Sequence, residues 1–367
     1  MARRDRFPII RERRWLQVAF LLVVVAIGVQ FSAWAFAHLE GRPVTVRRPA
    51  GVEGFLPISA LMSLRLWLAG DGVHPIHPAG LAILLGAVLM SLALAKSFCS
   101  HVCPVGLLSE WLGRLGQRLL GKNLPLPRWL DVPLRGLKFL LLAFFVWATW
   151  VVMDLPGTRA FLDSPYNKVA DVKMLLFFAD PSRLTVAVLG VLVVGSIFIR
   201  DLWCRVLCPY GALVGILGRL APLKVTRNLA TCTDCAKCTK VCPARLPVHQ
   251  MTRVASVECT SCQDCVAACP IKDCLAVRPP RWAGSRVARP AAAVALAALI
   301  YIGVMGAFRA AGHWHSVVTQ EEFARRLADI ESPLYTHVGG LAASEAAPPV
   351  PSNGVLSPSH HSTHVGQ

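Results

Sequence analysis

The sequence predicts an all-α polytopic membrane bundle of about five spans, with an internal parallel repeat and a small α+β cysteine-rich domain on one side. Three observations carry that prediction: long apolar runs, a motif repeated 105 residues apart, and eight cysteines in two copies of one spacing. For a chain of 367 residues, 54% hydrophobic and 16% charged residues with mean hydropathy +0.52 are wrong for a soluble protein. Five runs account for the excess, at 15–37, 79–95, 137–153, 184–199 and 290–308. Several lie near the short end of the roughly 17 to 25 residues that cross a bilayer.

The first run follows Arg3, Arg4, Arg6, Arg11, Arg13 and Arg14, so the N-terminus resembles a secretion signal, and Ala35-Phe36-Ala37 mimics a cleavage site. The run exceeds a usual signal core, which predicts an uncleaved anchor. Residues 55–69 are apolar but too short to cross, and they include Arg65; this is an interfacial or re-entrant helix on the outer side, most simply an amphipathic packing helix. Residues 342–367 are rich in Ala, Ser, Pro and His without apolar periodicity, which predicts disorder. His360, His361 and His364 there are weak metal ligands at best.

Orientation follows from charge, since loops rich in Lys and Arg stay on the cytoplasmic side. Residues 1–14, 96–135 and 200–289 carry 26 of the 38 Lys and Arg; 38–78, 154–183 and 309–367 carry 11. The N-terminus and the cysteine-rich domain are therefore expected in the cytoplasm and the tail in the periplasm. The net charge of +17 is spread over the flanks of spans rather than a single stripe with interleaved aromatics, so topology and anionic lipid explain it and nucleic acid does not.

Eight of the 13 cysteines form two copies of C-x-x-C-x-x-C-x-x-x-C-P: Cys232, Cys235, Cys238 and Cys242 before Pro243, and Cys259, Cys262, Cys265 and Cys269 before Pro270. Two-residue gaps turn three thiolates toward one point, and the fourth cysteine reaches across to the other cluster. This is the spacing of a two-cluster ferredoxin module. Cys232, Cys235, Cys238 and Cys269 would hold one [4Fe–4S] cube, and Cys259, Cys262, Cys265 and Cys242 the other. Structural zinc usually takes two separated cysteine pairs per ion, and disulfide frameworks belong to small secreted domains, so both fit less well. The thiolates and cubes together would remove roughly four positive charges, which Lys237, Lys240, Arg253 and Lys272 are placed to offset. Domain limits follow: 1–227 for a four-span membrane domain, 228–282 for the ferredoxin-like domain, 283–312 for the fifth span and 313–367 for a periplasmic, largely disordered tail.

The repeat superposes 97–115 on 202–220, with Cys99 on Cys204, Cys103 on Cys208 and Pro104 on Pro209. Gly106, Leu108, Leu112, Gly113, Arg114 and Leu115 also meet identical residues. Each copy follows a span, so the chain reads as two similarly oriented hairpins with a C-x-x-x-C-P at each inner mouth, and such repeats tend to place a shared site between them. In a helix, cysteines four apart share a face, which predicts that the four thiols converge to bind a metal or cluster or to pass electrons as dithiols. Buried cysteines packing a helix junction are the simpler alternative.

Together these residues resemble the polyferredoxin family that includes the NapH-type quinol dehydrogenase subunit of periplasmic nitrate reductase systems and the membrane core of NosR. The resemblance spans roughly residues 10 to 280. It implies a bacterial inner-membrane conduit that takes electrons from the quinol pool and delivers them to a redox partner, a periplasmic reductase or maturation system. Cys99, Cys103, Cys204, Cys208 and the eight module cysteines carry over; the fifth span and the tail depart from NapH, and the lack of a large N-terminal periplasmic region departs from NosR.

A quinol site needs an apolar path and a hydrogen-bonding group for the proton, which suits histidine. His74 and His77 lie before the second span with Asp71 nearby, although two surface-loop histidines beside prolines is the simpler reading. His313 and His315 follow the last span and could join them on copper or zinc, yet two close histidines are half a site. His101 sits within the first C-x-x-x-C-P, but its counterpart is Val206; Cys274 reads as a spare packed thiol. The expected function is membrane-bound iron–sulfur electron transfer. The alternative is a copper reductase or cofactor-assembly factor of the FixG type, which is expected to carry an extra folded C-terminal domain. No haem-attachment, nucleotide-loop or flavin motif supports a self-contained reductase.

Overall fold

The computed structural model describes residues 11–121, 123–124, 126–279 and 289–336. Helix α1 (Arg11–Leu39) is followed by α2 (Pro57–Leu68), α3 (Pro78–Leu94), α4 (Ser97–His101) and α5 (Pro104–Leu120). Then come α6 (Arg128–Val146), ending in a π turn over Trp147–Val152, and α7 (Leu155–Asp163), α8 (Pro165–Lys168), α9 (Ala170–Ala179) and α10 (Arg183–Phe198). A second π turn, Trp203–Leu207, leads into α11 (Pro209–Gly218). Strand β1 (Lys224–Arg227), α12 (Lys237–Val241), α13 (Asp264–Ala267) and β2 (Leu275–Arg278) build the cysteine-rich module, and α14 (Pro290–Ala310) and α15 (Gln320–Ala328) follow it.

Among the described residues, three helices are long and apolar enough to cross a membrane: α1, α6 with its π turn (Trp129–Val152), and α14. Helices α9 and α10 make a fourth if counted as one span bent by 79°. The expected runs at 79–95 and 184–199 are helical as α3 and α10, but their 17 and 16 residues rise only about 25 Å, short of a hydrocarbon core of about 30 Å. Helix α3 is apolar on every side because it is central: most of it is buried, against α2, α11 and α14.

Two cores mark two ends. At the module end, Met90 and Leu94 of α3 and Ala293 and Ala297 of α14 pack with Val225, Val254, Leu275 and Val277 of the module. At the far end, Phe31 and Trp34 of α1, Val172 of α9, and Phe323 and Leu327 of α15 form a second cluster. Trp34 Nε1 donates to Gln320 Oε1 at 2.9 Å, so part of the segment expected as a tail is folded back on α1. Residues 342–367, with their three histidines, lie outside the described residues. The apolar segment at 55–69 is helical as α2, and Arg65 is satisfied at the end of α6, donating to Thr149 O at 2.7 Å and Met153 O at 2.6 Å.

The module is closed by β1 and β2, paired antiparallel from Lys224↔Arg278 to Arg227↔Leu275. The two repeats clasp each other. Helix α10 packs on α5 of the first repeat, and α3 packs on α11 of the second. A Cβ on Gly113 would lie 2.9 Å from Arg200 Cγ, and one on its counterpart Gly218 would lie 2.8 Å from the carbonyl carbon of Ala95. Ala95 and Arg200 are themselves counterparts, so the contact is reciprocal.

Candidate functional site

The two cysteine loops follow one backbone path. Asp234 and Ala236 are left-handed in the first, and Ser261 and Gln263 are left-handed 27 residues later in the second. Non-glycine residues adopt this region at a cost, so its recurrence at matching positions marks a wrap imposed on both loops. A short helix then carries the third cysteine, Cys238 in α12 and Cys265 in α13.

Each loop surrounds a cavity completed by the other. A distal space is lined by Cys232, Cys235, Cys238 and Cys269, with Lys237, His249 and Cys274 on its wall. A proximal space, nearer the bundle, is lined by Cys259, Cys262, Cys265 and Cys242, over an apolar wall of Val225, Leu246, Val248 and Val254. Among the described residues, no three His, Cys, Asp or Glu side chains converge on a single metal ion. A cube of four irons is wider than one ion and takes a sulfur at each corner, so four cysteines spread around a cavity suit it better than they suit zinc.

The surroundings differ. Cys235 is exposed, and the backbone N–H of Lys237 draws its thiol below the ordinary value. Cys262 and Cys265 are buried, and burial pushes both thiols well up; Cys259 is pushed to about 11. Buried thiols of this kind lose their protons only when something cationic is bound.

In each C-x-x-x-C-P motif the cysteines do not share one helical face, because the helix ends and restarts at the proline. Cys99 lies in α4 and Cys204 in the second π turn, whereas Cys103 and Cys208 are extended caps with Pro104 and Pro209 as the first residues of α5 and α11. A residue before proline is driven out of the α region, which breaks each helix at the second cysteine. The thiols still share one neighbourhood, since the charges of Cys99, Cys103 and Cys208 all bear on Cys204. Burial raises Cys99 to about 12 and Cys103 to about 11. Gly106 is needed here, because a Cβ would fall 2.1 Å from Cys99 O.

A third cavity, about 70 Å³, joins the two regions: Cys99 and Cys204 line it with Cys262 of the proximal cradle. The first motif also bonds directly to that cradle's loop. Lys96 N donates to Cys259 O at 3.3 Å, and Ser100 Oγ donates to Thr260 O at 2.5 Å.

Sequence reasoning missed several residues. Lys96 is 3% exposed, and its Nζ lies 3.3 Å from where a Cβ on Gly211 would be, with Cys208 Sγ 3.5 Å from the same point. Its counterpart in the repeat is Asp201, beside Arg200 at 3.7 Å, so the four-cysteine site is flanked by opposite charges at equivalent positions. A comparison of charges at matched repeat positions would have found this pair. Lys138 Nζ donates to Glu258 Oε1 at 2.5 Å, one residue before Cys259. Arg13 Nη2 reaches Asp264 Oδ1 at 3.3 Å, between Cys262 and Cys265.

The histidines fall otherwise than expected. His74 and His77 are buried, not loop-surface residues: His77 Nε2 meets Asn167 O at 2.7 Å, its Nδ1 faces Glu53 at 3.5 Å, and His74 faces Asp163 at 3.2 Å. Glu53 organises this far-end network, pairing with Arg48 and accepting from Gly80 N at 3.2 Å. Asp71 instead pairs with Arg159 at 2.5 Å. His313 and His315 are exposed on either side of buried Trp314. His101 is buried, which holds it near 4 and therefore neutral. Cys274 is buried, its Sγ 3.7 Å from Asn228 O.

A family model described as a 4Fe-4S binding domain matches residues 76–123 and again 183–228, which are the two repeats. A 4Fe-4S dicluster domain model matches 224–270. The chain is 40% identical over 330 residues to YccM of Escherichia coli (strain K12), named for electron transport, covering 89% of this chain and 91% of that protein. It is 27% identical over 246 residues to the ferredoxin-type protein NapH of the same organism, covering 64% of this chain and 76% of NapH. It is 27% identical over 252 residues to the methylamine utilization ferredoxin-type protein MauN of Methylobacillus flagellatus, covering 63% of this chain and 77% of MauN. No solved structure matches. The chain belongs to the NapH-type polyferredoxin family, as an iron–sulfur electron-transport protein of the membrane.

Proposed function

We propose that the protein is a five-span conduit of the bacterial inner membrane, in which two [4Fe–4S] clusters relay electrons between the quinol pool and a redox partner. The observation that carries this reading is the pair of cavities, each lined by three cysteines of one loop and the fourth of the other. Cys232, Cys235, Cys238 and Cys269 would hold the distal cluster, and Cys259, Cys262, Cys265 and Cys242 the proximal one. A [4Fe–4S] cluster supplies reversible one-electron storage. The chain's own residues supply the rest. Val225, Leu246, Val248 and Val254 keep water from the proximal cradle, and Lys96 and Ser100 tie it to the first C-x-x-x-C-P.

In this reading 1–227 is the membrane domain, 228–282 the ferredoxin-like domain, 283–312 the fifth span and 313–367 a periplasmic region. The N-terminus and clusters are cytoplasmic, as the Lys and Arg distribution favours. In this count α3 and α10 are the two short spans. The partner is a periplasmic reductase or maturation system, or a cytoplasmic or membrane electron carrier.

A second reading is favoured by the third cavity. With Cys99 and Cys204 on its wall and Cys103 and Cys208 near, it suits a further metal or cluster, or dithiol chemistry, in a copper reductase or cofactor-assembly factor. Anaerobic purification followed by EPR during quinol addition and then copper(II) addition separates the two. Cluster reduction by quinol supports the conduit; no quinol response in the oxidised sample, with cluster reoxidation by copper(II) in a dithionite-reduced one, supports the second reading and overturns the first.

A further inference from the structure

Three side chains that the electron-transfer reading does not use converge beside the proximal cradle. Arg13 opens the first span, where its charge reads as a topology signal, yet it is 2% exposed and turned inward. Its Nη2 donates to Glu110 Oε1 at 3.0 Å and Asp264 Oδ1 at 3.3 Å. Gln17 Nε2 steadies the other oxygen of Glu110 at 3.2 Å, and Arg114 pairs with Glu110 from one turn along α5. Asp264 is 1% exposed and lies between Cys262 and Cys265 in sequence; Arg13, Asp264 and Cys262 line one cavity.

The matched loops sharpen the point. The position equivalent to Asp264 in the distal loop, 27 residues earlier, is Lys237, which is exposed. One loop thus carries a solvated cation where the other carries a buried anion. Net charge and burial around a cluster set its potential, and a charge in a dry site counts for more than one in water. A lone Asp264 would make the proximal centre the harder of the two to reduce. Arg13, contributed by the membrane domain rather than the module, opposes that.

We propose that Arg13, Glu110 and Asp264 form a buried charge triad that sets the reduction potential of the proximal centre, so that its potential depends on the module being docked against α1. This rests on the reading that the proximal cradle holds a cluster. The test is an EPR-monitored redox titration of the full-length, anaerobically purified protein, with iron and labile sulfide counted first. The proximal signal is the one that survives Cys235→Ser.

Arg13→Gln is expected to move that signal to more negative potential, and Asp264→Asn to more positive potential. Each shift corresponds to about a tenfold change in how the two clusters share an electron, about 59 mV for a one-electron couple. Arg13→Lys should stay near the parent, and the distal signal should not move. Should Arg13→Gln fail to accumulate, Glu110→Gln gives the same test with a positive shift. Full iron with unmoved potentials, or with Arg13→Gln and Asp264→Asn shifting the same way, overturns the triad alone. Absence of iron overturns the cluster reading beneath it.

Discussion

The distal and proximal cradles share cysteine spacing and backbone path but are set in opposite media. The distal one has exposed Cys235, an exposed Lys237 on its wall and an Arg227–Asp234 pair whose aspartate is 72% exposed. The proximal one has buried Cys262 and Cys265, buried Asp264, and charge partners that all come from membrane-domain helices. One motif therefore yields two sites whose chemistry is set by neighbours distant in sequence. Water screens the first, and only fixed charges balance the second.

The largest expected effect comes from removing a sulfur on each side. Cys262→Ala should lower iron to about half and also lower the unfolding temperature in detergent, because metal binding contributes folding energy at a core position. Cys235→Ala should lose the same iron with little change in unfolding. Equal destabilisation by the two variants would break the comparison.

Next is the ion pair behind the proximal loop. Lys138→Met strands Glu258 in a buried site and should cost about 3–5 kcal/mol by denaturant unfolding, while the double variant with Glu258→Leu should recover most of it. Failure of the double variant to recover would mean that the pair is not what the loop leans on. Smaller still is a difference in rates. A membrane-impermeant iron chelator in excess should bleach the distal EPR signal before the proximal one, and simultaneous loss would deny the difference in exposure. Smallest of all, Arg227→Gln should change stability by less than about 1 kcal/mol, since its partner is largely in water.

Much of this was legible in the sequence because it is local. Two-residue gaps fix which three cysteines share a loop, and the exchange of Cys242 and Cys269 between cradles is the arrangement that spacing predicts. Three of the five apolar runs became helices long enough to span, and the two short ones were already near the lower limit. Pairings across the fold were not legible. Arg13 and Asp264 are 251 residues apart and Lys138 and Glu258 are 120 apart, distances that no periodicity reports. Cys99 and Cys103 do not share one helical face, because the proline after Cys103 ends one helix and starts the next and so outweighs the i,i+4 spacing. His74 and His77 looked like loop residues because nothing nearby in sequence announces Asp163 as the partner of His74, or Glu53 and Asn167 as those of His77.

The most direct test is an iron and acid-labile sulfide count on the anaerobically purified full-length protein, read alongside EPR of the dithionite-reduced sample. About eight of each per chain, with two interacting cluster signals, is the predicted result. Colourless protein without iron or sulfide, or a single zinc per loop in their place, would contradict it.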